Sequence, residues 1–379
     1  MNDLPLVSVV VLNFNGAPWL HQCFESLEKV HYPQDRLEVI MGDNASTDDS
    51  IDYTKNRFPW VRVLPLDRNY GFCKGNNLCA REATGEYLVF LNNDTFVAKD
   101  WLINLVLATR SDPAIVSSTG KILFPQFAGG RLINAAGGVI APSGGGFYNG
   151  WMEEDSPVYA LSACTGFGCG AGVLVQKKFF LESGGFDEYY FYSCEEMDLG
   201  FRAWLYGFKV LYVPSAVMYH YMGRTGFRGK GVTPSIEFLI TRNNLYFILK
   251  NFQLLTAIKG LPLFLLKATA KMLYALAHGN TAIFAAIMKA HIHVFKGLKQ
   301  ILETRRATQR NRRVSDTQLL RMGVLVGVTE VVRRSYRVAR NTRKYHFGSL
   351  YDTKDAVNII IDEKGEFTFT KADNIEGNG

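Results

Sequence analysis

Two polar clusters that bear carboxylates could do chemistry in this sequence. The first is Asp94, with Asn92 and Asn93 beside it, directly after an apolar segment. A carboxylate among neutral amides can hold a hard divalent cation that keeps waters and binds substrate phosphates. The second is the adjacent pair Glu195 and Glu196, about a hundred residues further along the chain. Two adjacent carboxylates raise one another's pKa, so keeping both ionised costs free energy unless a cation or a transferred proton neutralises one of them. The pair therefore predicts a general base.

Ordinary structural roles are also open for the second cluster. Ser193, with Glu196 three residues later, matches a capping box at the start of a helix. Asp198 and Arg202 have the four-residue spacing of a common ion pair on a helix. The residue types therefore leave two interpretations of this segment, a helix start and a catalytic site.

The apolar pattern predicts the scaffold that must position these clusters. Residues 7–12 form a Val-rich run, typical of a strand buried on both faces of a parallel sheet. A helix beginning near Pro18 comes next, and its buried face is predicted from the spacing of Leu20, Cys23, Phe24 and Leu27. Further strands are predicted at 37–41, 61–66 and 87–91, and further helices at 46–58 and 76–84. This alternation predicts an α/β fold with a doubly wound parallel sheet.

Polar residues collect where the predicted strands end. Asn13 and Asn15 follow the first strand, Asp43 and Asn44 follow the second, and Asp94 with its two amide neighbours follows the fourth. Each residue alone suits a turn or a cap, because Asn and Asp bond readily to nearby backbone. Ligands of such sheets bind beyond the carboxyl ends of the strands, so together these residues predict a binding site.

The pattern is less regular after residue 98. The Gly-rich segment 129–150 predicts hairpins and a mobile loop, 173–175 a strand, and 206–213 a last strand that Pro214 ends. The glycines of 165–176 suit either close approach of the backbone to a ligand or β-bulges. The sequence has neither the spaced glycine fingerprint of a dinucleotide fold nor a lysine-containing phosphate loop, which disfavours a dehydrogenase.

Length, composition and charge bound the class of protein. The chain has 379 residues, 47% hydrophobic and 20% charged, which fits a globular protein with one or two domains. Its net charge of +7 is uneven, because residues 252–345 contain 18 Lys and Arg against 3 Asp and Glu, which leaves −8 for the remainder. The six cysteines lack the pairs of a zinc site or the framework of a small secreted domain, and residues 1–12 do not resemble a signal peptide. A reduced, cytoplasmic protein is expected.

Residues 252–345 are predicted to form a basic, amphipathic helical region. Its apolar segments 261–266, 272–277 and 283–288 are interrupted by single lysines, and none reaches about 20 clean apolar residues, although 272–288 comes near. The pattern suits a helix on an anionic membrane surface, which we favour, or a helical dimerisation or core-packing domain. The basic residues concerned are Lys267, Lys271, Lys289, Lys296, Lys299, Arg305, Arg306, Arg310, Arg312 and Arg313.

In the acidic tail 346–379, segments 357–361 and 366–370 predict a β-hairpin.

The order of the motifs resembles the family 2 glycosyltransferases. They are VSVVVLNFNG (7–16), DNASTDDS (43–50), RNYGF (68–72), FLNNDT (90–95), GFD (185–187), EEMDLGFR (195–202) and HYMGRT (220–225). The resemblance covers about residues 5–252 and is greatest to bacterial rhamnosyltransferases that build cell-surface polysaccharides such as O-antigen and cell wall. It implies a GT-A catalytic domain at 1–251, followed by the helical region at 252–345 and the tail at 346–379.

The resemblance implies inverting, metal-dependent transfer of a sugar from a nucleotide diphosphate sugar to a hydroxyl group of a saccharide or lipid-linked saccharide. It implies that Asp43 contacts the nucleotide base, with Asn13 and Asn15 nearby. The full implied set for the nucleotide sugar is Asn13, Asn15, Asp43, Asn69, Asn93, Asp94 and Arg228.

The resemblance also implies roles in metal binding and catalysis. Asp94 takes the place of the last residue of the family's Asp-x-Asp metal motif, which has Asn92 at its first position here, and His220 completes the metal or diphosphate site. Mg²⁺ or Mn²⁺ would be the cofactor. Glu196 takes the place of the catalytic base, a Glu where the family has Asp, and Glu195 is the alternative. Candidates for binding phosphates of the donor or a lipid acceptor are Arg224, Arg228, Lys230 and Arg242.

Several alternatives stay open at this point. Rhamnose rests on the resemblance, and glucose, galactose or an N-acetylhexosamine would fit the same residues. The expected partners are the sugar donor, a lipid-linked saccharide and an anionic membrane on whose inner face the protein lies, with a homo-oligomer left open. A nucleotidyltransferase would share the sheet, but residues 13–17 lack the basic, Gly-rich loop it normally has. A nucleic-acid-binding or scaffold protein could use the arginines of 305–313 and 333–344, although nucleic acid is not the expected partner.

Overall fold

A mixed β-sheet forms the centre of the chain. The computed structural model describes residues 3–222, 233–345, 357–361 and 367–371. The strands are β1 (Val7–Asn13), β2 (Leu37–Asp43), β3 (Arg62–Pro65), β4 (Tyr87–Asn92), β5 (Thr95–Val97), β6 (Ile115–Phe124), β7 (Leu132–Ala135), β8 (Gly138–Ile140), β9 (Gly146–Tyr148), β10 (Ala163–Cys164), β11 (Gly172–Gln176), β12 (Lys209–His220), β13 (Val357–Ile361) and β14 (Phe367–Lys371).

Twelve α-helices lie within the described ranges. They are α1 (Ala17–Glu28), α2 (Ser50–Arg57), α3 (Gly71–Glu82), α4 (Trp101–Arg110), α5 (Lys177–Glu182), α6 (Glu195–Leu205), α7 (Pro234–Asn251), α8 (Leu254–Ala277), α9 (Thr281–Lys296), α10 (Leu298–Arg310), α11 (Asp316–Arg321) and α12 (Val328–Lys344).

The main sheet has the strand order β10-β12-β6-β11-β4-β1-β2-β3, with β5 added to β12 and β7 added to β6. The strands β4, β1, β2 and β3 are parallel, as the alternation of apolar segments predicts. The sheet is mixed because β11 runs antiparallel to both of its neighbours, β4 and β6. The predicted α/β class is therefore confirmed, with a parallel half and a mixed half. The β8–β9 pair and the β13–β14 pair confirm the two predicted hairpin regions.

Apolar cores cover both faces of the sheet. Val10 belongs to one core, whereas its neighbours Val9 and Val11 belong to the other. Successive side chains of a strand point to opposite faces, so a strand covered on both sides needs an uninterrupted apolar run. The first core continues into the C-terminal helices, where it includes Phe264 of α8 and Val294 of α9.

The main differences from the predicted element bounds are the starts of α2 and α3 and the end of β12. Helix α2 begins at Ser50 rather than 46, because Asp48 accepts hydrogen bonds from the backbone of Ser50 and holds the preceding residues in a turn. Helix α3 begins at Gly71, earlier than predicted. Strand β12 continues through Pro214, which was wrongly expected to end it. A register shift against β6 between Val213 and Val217 lets the strand pass the proline, as bulges do.

The C-terminal helices also correct two expectations. Segment 272–288 is not one apolar helix: α8 ends at Ala277, and Asn280 caps α9 by accepting a hydrogen bond from the Ile283 N–H. Arg305 and Arg312, expected on a membrane surface, instead donate to backbone carbonyls at the end of α7 and just after it. They satisfy acceptors that the end of a helix leaves unpaired.

Candidate active site

The carboxyl ends of the strands and the start of α6 enclose one cavity of about 470 Å³, called here the central cavity. It brings together most of the residues predicted from the sequence. The predicted residues that line it are Asn13, Asn69, Asn92, Asn93, Asp94, Glu195, Glu196 and His220. Asn15 and Asp43 do not line it, and Arg228, Arg224 and Lys230 lie outside the described residues.

A chain of hydrogen bonds orders the amides on one side of the central cavity. Asn93 Nδ2 donates to Asn13 Oδ1 at 2.7 Å, and Asn13 Nδ2 donates to Asp43 Oδ1 at 3.0 Å. The second oxygen of Asp43 accepts from the Ser46 N–H at 2.8 Å. Asp43 has no exposed surface. In this arrangement Asp43 orients Asn13, and a direct contact between Asp43 and a nucleotide would require these bonds to open.

Asn15 and Asn69 stabilise turns at the rim of the sheet. Asn15 is exposed, has a φ of 50°, and accepts a hydrogen bond from the Thr47 N–H at 2.7 Å. Asn69 accepts from the Gly71 N–H at 2.9 Å, just where α3 begins. Gly71 has a φ of +74°, and a Cβ there would lie 2.5 Å from the Phe191 ring, so this position requires glycine. Asn69 therefore both stabilises this turn and lines the central cavity.

Asp94 and His220 meet at the other side of the sheet edge. The two residues are buried, and Asp94 Oδ1 lies 3.3 Å from His220 Nε2. The pairing of β5 with β12 brings them together, because Thr95 is opposite His220. His220 Nδ1 is buried without a hydrogen-bond partner among the described residues. Within the same residues no group of three or more His, Cys, Asp and Glu could enclose a metal ion. The carboxylate and imidazole fit a divalent cation that takes its remaining ligands from water or substrate phosphate.

Glu195 and Glu196 face the central cavity from the first turn of α6. The Tyr148 hydroxyl donates to Glu196 Oε1 at 2.7 Å. The Oε2 atoms of Glu195 and Glu196 are buried without partners among the described residues. Burial raises the pKa of Glu196, although the Tyr148 hydrogen bond opposes the rise. Burial, followed by the charge of Glu196, raises the pKa of Glu195 well above its ordinary value. A carboxylate with a raised pKa and a free oxygen accepts a proton more readily than an exposed carboxylate does.

The backbone before this pair is strained. Phe191, Ser193 and Cys194 have φ angles of 61°, 72° and 77°, in the left-handed region that costs non-glycine residues energy. Cys194 is the N-cap residue of α6, and the helix start has no side-chain cap. The capping-box interpretation of Ser193 and Glu196 is therefore wrong, because the N-cap residue is Cys194 and no side chain caps the helix.

Helix α7 holds the strained segment in place. Asn243 is fully buried, and its Nδ2 donates to the carbonyls of Tyr190, Tyr192 and Ser193 at 3.1, 2.9 and 2.8 Å. Arg242 Nε donates to Asn243 Oδ1 at 2.9 Å, and its Nη2 donates to the Tyr190 carbonyl at 2.8 Å. Arg242 was a candidate for binding phosphate. The structure corrects this, since its guanidinium is buried and donates to the backbone carbonyls of Tyr189 and Tyr190.

A buried ion network joins α6 to α7 behind the carboxylate pair. Asp198 accepts from Arg202 Nε at 2.7 Å and from Lys250 Nζ at 2.8 Å. Lys250 also donates to Asp187 Oδ2 at 2.6 Å. Burial alone would raise the pKa of Asp198, but Lys250 and then Arg202 outweigh it and lower the pKa to about 2. The predicted Asp198–Arg202 pair is thus present as part of a larger network.

A larger cavity of about 580 Å³ lies against α10 and includes Arg202, Lys250 and Asp187 in its lining. Its buried cations are already paired with Asp198 and Asp187. The central cavity instead contains carboxylate and imidazole atoms without partners among the described residues. We therefore assign the chemistry to the central cavity, although it is the smaller of the two.

Sequence reasoning missed Tyr148, Asn243 and Lys250, and it missed the apolar wall that α7 gives the central cavity. That wall consists of Ile236, Leu239 and Ile240. Their three- and four-residue spacing was available as a signal for a helix face. Nothing local in the sequence indicates that the face lines a cavity with Glu196.

Comparison with known families finds two overlapping matches. Residues 8–140 match the family described as "Glycosyl transferase family 2", and residues 87–230 match "Glycosyl transferase family group 2". Together they extend from β1 to beyond His220.

Two relatives illustrate the sequence similarity. The N-acetylglucosaminyl-diphospho-decaprenol L-rhamnosyltransferase of Mycobacterium tuberculosis is 26% identical over 250 residues, which cover 58% of this chain and 78% of that protein. The O-antigen biosynthesis protein RfbC of Myxococcus xanthus is 27% identical over 227 residues, 57% of this chain but 17% of that much longer protein.

Solved structures share the fold. The mannosyltransferase PcManGT from Pyrobaculum calidifontis, in complex with GDP-Man and Mn²⁺, has a TM-score of 0.50 at 18% identity, covering 81% of this chain and 86% of that one. GalNAc-T7 with UDP, GalNAc and Mn²⁺ has a TM-score of 0.51 at 19% identity, covering 66% of this chain and 51% of that one. At these identities the likeness shows the fold, and it confirms the predicted GT-A architecture.

Proposed function

Because the chain belongs to the family 2 glycosyltransferases, we propose that it transfers a sugar from a nucleotide diphosphate sugar to a hydroxyl group of a saccharide or lipid-linked saccharide, with inversion. One observation carries this proposal. The Asp94–His220 pair and the Glu195–Glu196 pair line the same cavity, although Asp94 precedes the two glutamates by about a hundred residues in sequence. Asp94 and His220 suit a divalent cation that binds the diphosphate, and Glu195 and Glu196 suit an incoming alcohol.

In the proposed reaction Glu196 is the general base. Tyr148 holds its Oε1 atom and leaves Oε2 free to accept the proton of the acceptor hydroxyl. The acceptor oxygen forms a bond to the anomeric carbon as the bond from that carbon to the diphosphate breaks, and the electron pair leaves with the nucleoside diphosphate. Its raised pKa makes Glu196 a stronger base than an exposed carboxylate. Glu195 remains the alternative base, since it is buried beside the same cavity.

Asp94 and His220 are the residues that would hold a divalent cation, Mg²⁺ or Mn²⁺. Their oxygen and imidazole donors fit such an ion, and Mn²⁺ is named with both structures of similar fold. When bound, the cation would neutralise negative charge that develops on the leaving diphosphate. Asn93 and Asn13 would position the donor beside it through the ordered amide chain.

The sugar and the acceptor are proposed from the relatives. The name of the Mycobacterium tuberculosis relative supports L-rhamnose as the sugar and a lipid diphosphate saccharide as the acceptor. The name of the Myxococcus xanthus relative supports surface polysaccharide assembly as the process. A lipid-borne acceptor would place the enzyme at the inner face of the cell membrane, as a peripheral protein.

Thermal unfolding with a panel of nucleotide sugars tests the proposal. We expect one nucleotide class to raise the melting temperature in the presence of Mn²⁺ or Mg²⁺ and not in EDTA, with stabilisation of about 2.7 kcal/mol at a hundred times the Kd. Asp94→Asn should remove this shift, whereas Asp52→Asn, at an exposed position of α2 that does not line the central cavity, should keep it. If no nucleotide sugar stabilises the wild-type protein with either metal, the proposed donor class is wrong.

A further inference from the structure

Helices α8 and α9 expose an unusually apolar surface. In α8, the exposed residues Leu255, Ile258, Leu266 and Leu273 have the spacing of one helix face. Leu266 is 70% exposed, and Phe295 of α9 is 78% exposed. We call the exposed apolar side chains of α8 and α9 the apolar face. Large contiguous apolar surfaces on a folded protein mark contacts with a partner or a membrane.

The opposite side of the same helices is packed. Ala257, Phe264 and Ala268 of α8 are buried, and Lys271 Nζ bonds to the buried Glu237 of α7 at 2.8 Å. By length and composition α8 could cross a membrane, and only 22% of its apolar window is buried. A helix that crossed a bilayer alone would lose its ion pair and its packing against α7. The packed side therefore favours a helix that lies on a membrane over one that spans it.

Charge indicates which surface the apolar face fits. Residues 254–296 contain five lysines and no Asp or Glu. Lys259 of α8 and Lys289 and Lys296 of α9 are exposed. Apolar side chains flanked by lysines match the interface of a bilayer that contains anionic lipids.

Helix α7 connects the apolar face to the chemistry. One side of α7 forms the apolar wall of the central cavity with Ile236, Leu239 and Ile240, and α8 and α9 pack against the helix elsewhere. We propose that the apolar face docks on an anionic phospholipid surface, so that a lipid-linked acceptor reaches Glu196 along the apolar wall of α7. This inference rests on the proposed function, because an apolar route to Glu196 is useful only for a lipid-borne acceptor.

Flotation with lipid vesicles tests the docking with the full chain and without substrates. Wild-type protein should float with vesicles of phosphatidylcholine and phosphatidylglycerol, and less with phosphatidylcholine alone or at high salt. The double variant Leu266→Ser with Phe295→Ser should lower the partition coefficient by about tenfold for each side chain. The matched control, Leu107→Ser with Leu161→Ser, removes two exposed leucines elsewhere and should float like the wild type.

Four results would overturn the inference. The first is that the wild type does not float with vesicles, and the second is that the Leu266→Ser/Phe295→Ser variant floats as well as the wild type. The third is that the protein resists alkaline extraction from membranes, as a spanning helix would. The fourth is that the wild type is a dimer and this variant is a monomer. The last would make a second copy of the chain the partner. Stabilisation by nucleotide sugars in the absence of vesicles tests the proposed function separately, and the double variant should keep it.

Discussion

Replacing Lys250 by Met should strongly destabilise the protein. Lys250 is buried and donates to Asp198 and Asp187 at 2.8 and 2.6 Å. The pKa of Asp198 falls from an ordinary 3.8 to about 2, which corresponds to roughly 2 kcal/mol of stabilisation from its ionised form. Removing one partner of a buried ion pair leaves an uncompensated charge and costs about 3–5 kcal/mol. We therefore expect a loss of about 3–5 kcal/mol in unfolding free energy at pH 7.

Urea unfolding followed by tryptophan fluorescence measures this loss. The folded-state pKa of Asp198 is depressed, so its stabilisation is present above pH 3.8 and is lost as the pH falls towards 2. The difference in unfolding free energy between the wild type and Lys250→Met should therefore become smaller over this pH range. Lys55→Met, at an exposed position of α2, is the matched control and should change little. A loss below about 1 kcal/mol at pH 7, or one that does not vary with pH, would refute the reasoning.

Four further predictions concern the central cavity. Glu196→Gln should lower kcat by roughly 10²–10⁴-fold and leave nucleotide-dependent stabilisation intact, and unchanged turnover would move the base to Glu195. Tyr148→Phe should shift the acid limb of the kcat–pH profile to higher pH, because it removes the hydrogen bond that lowers the pKa of Glu196; a limb that stays in place contradicts this. Asn243→Ala should lower kcat by about tenfold or more with little change in donor KM, because the strained segment before Glu195 loses its three hydrogen bonds. Glu195→Gln should stabilise the fold, because the wild type must keep Glu195 protonated or bury its charge. The gain in unfolding free energy should grow by roughly 1.4 kcal/mol per pH unit as the pH rises from the ordinary pKa of a glutamate towards the raised pKa of Glu195. A difference in unfolding free energy between variant and wild type that does not change with pH, measured by urea unfolding, would disprove the burial effect.

Much of the candidate site could be predicted from the sequence. The apolar runs before Asn13 and Asn92, of which the first contains only Ser8 as a polar residue, predict strands buried on both faces. The residues that come directly after parallel strands lie at one edge of the sheet. Asn13, Asn93 and Asp94 therefore meet in the structure as expected. The adjacent glutamates also predicted a site, because neighbouring carboxylates raise one another's pKa, and in the structure both line the central cavity.

Other roles depended on partners distant in sequence. Asp43 follows a strand as Asn13 does, yet its carboxylate is buried and saturated by Asn13 and Ser46. Arg242 has the residue type of a phosphate ligand, but it binds backbone carbonyls about 50 residues earlier in the chain. Residue type does not reveal which partner a side chain meets.

The sequence by itself determined the fold class, the edge of the sheet where polar residues gather, and the two polar clusters that bear carboxylates. The spacing of apolar residues and the residue types that directly follow a strand are local properties, so they can be read from the sequence. Only the tertiary structure decided that Tyr148 holds Glu196, that Asn243 holds the strained backbone before Glu195, and that Lys250 neutralises Asp198. These contacts join segments about 50 residues apart. A hydrogen bond depends on the distance and angle between two groups. For groups distant in sequence, these are set by the tertiary fold and are not encoded in a local sequence pattern.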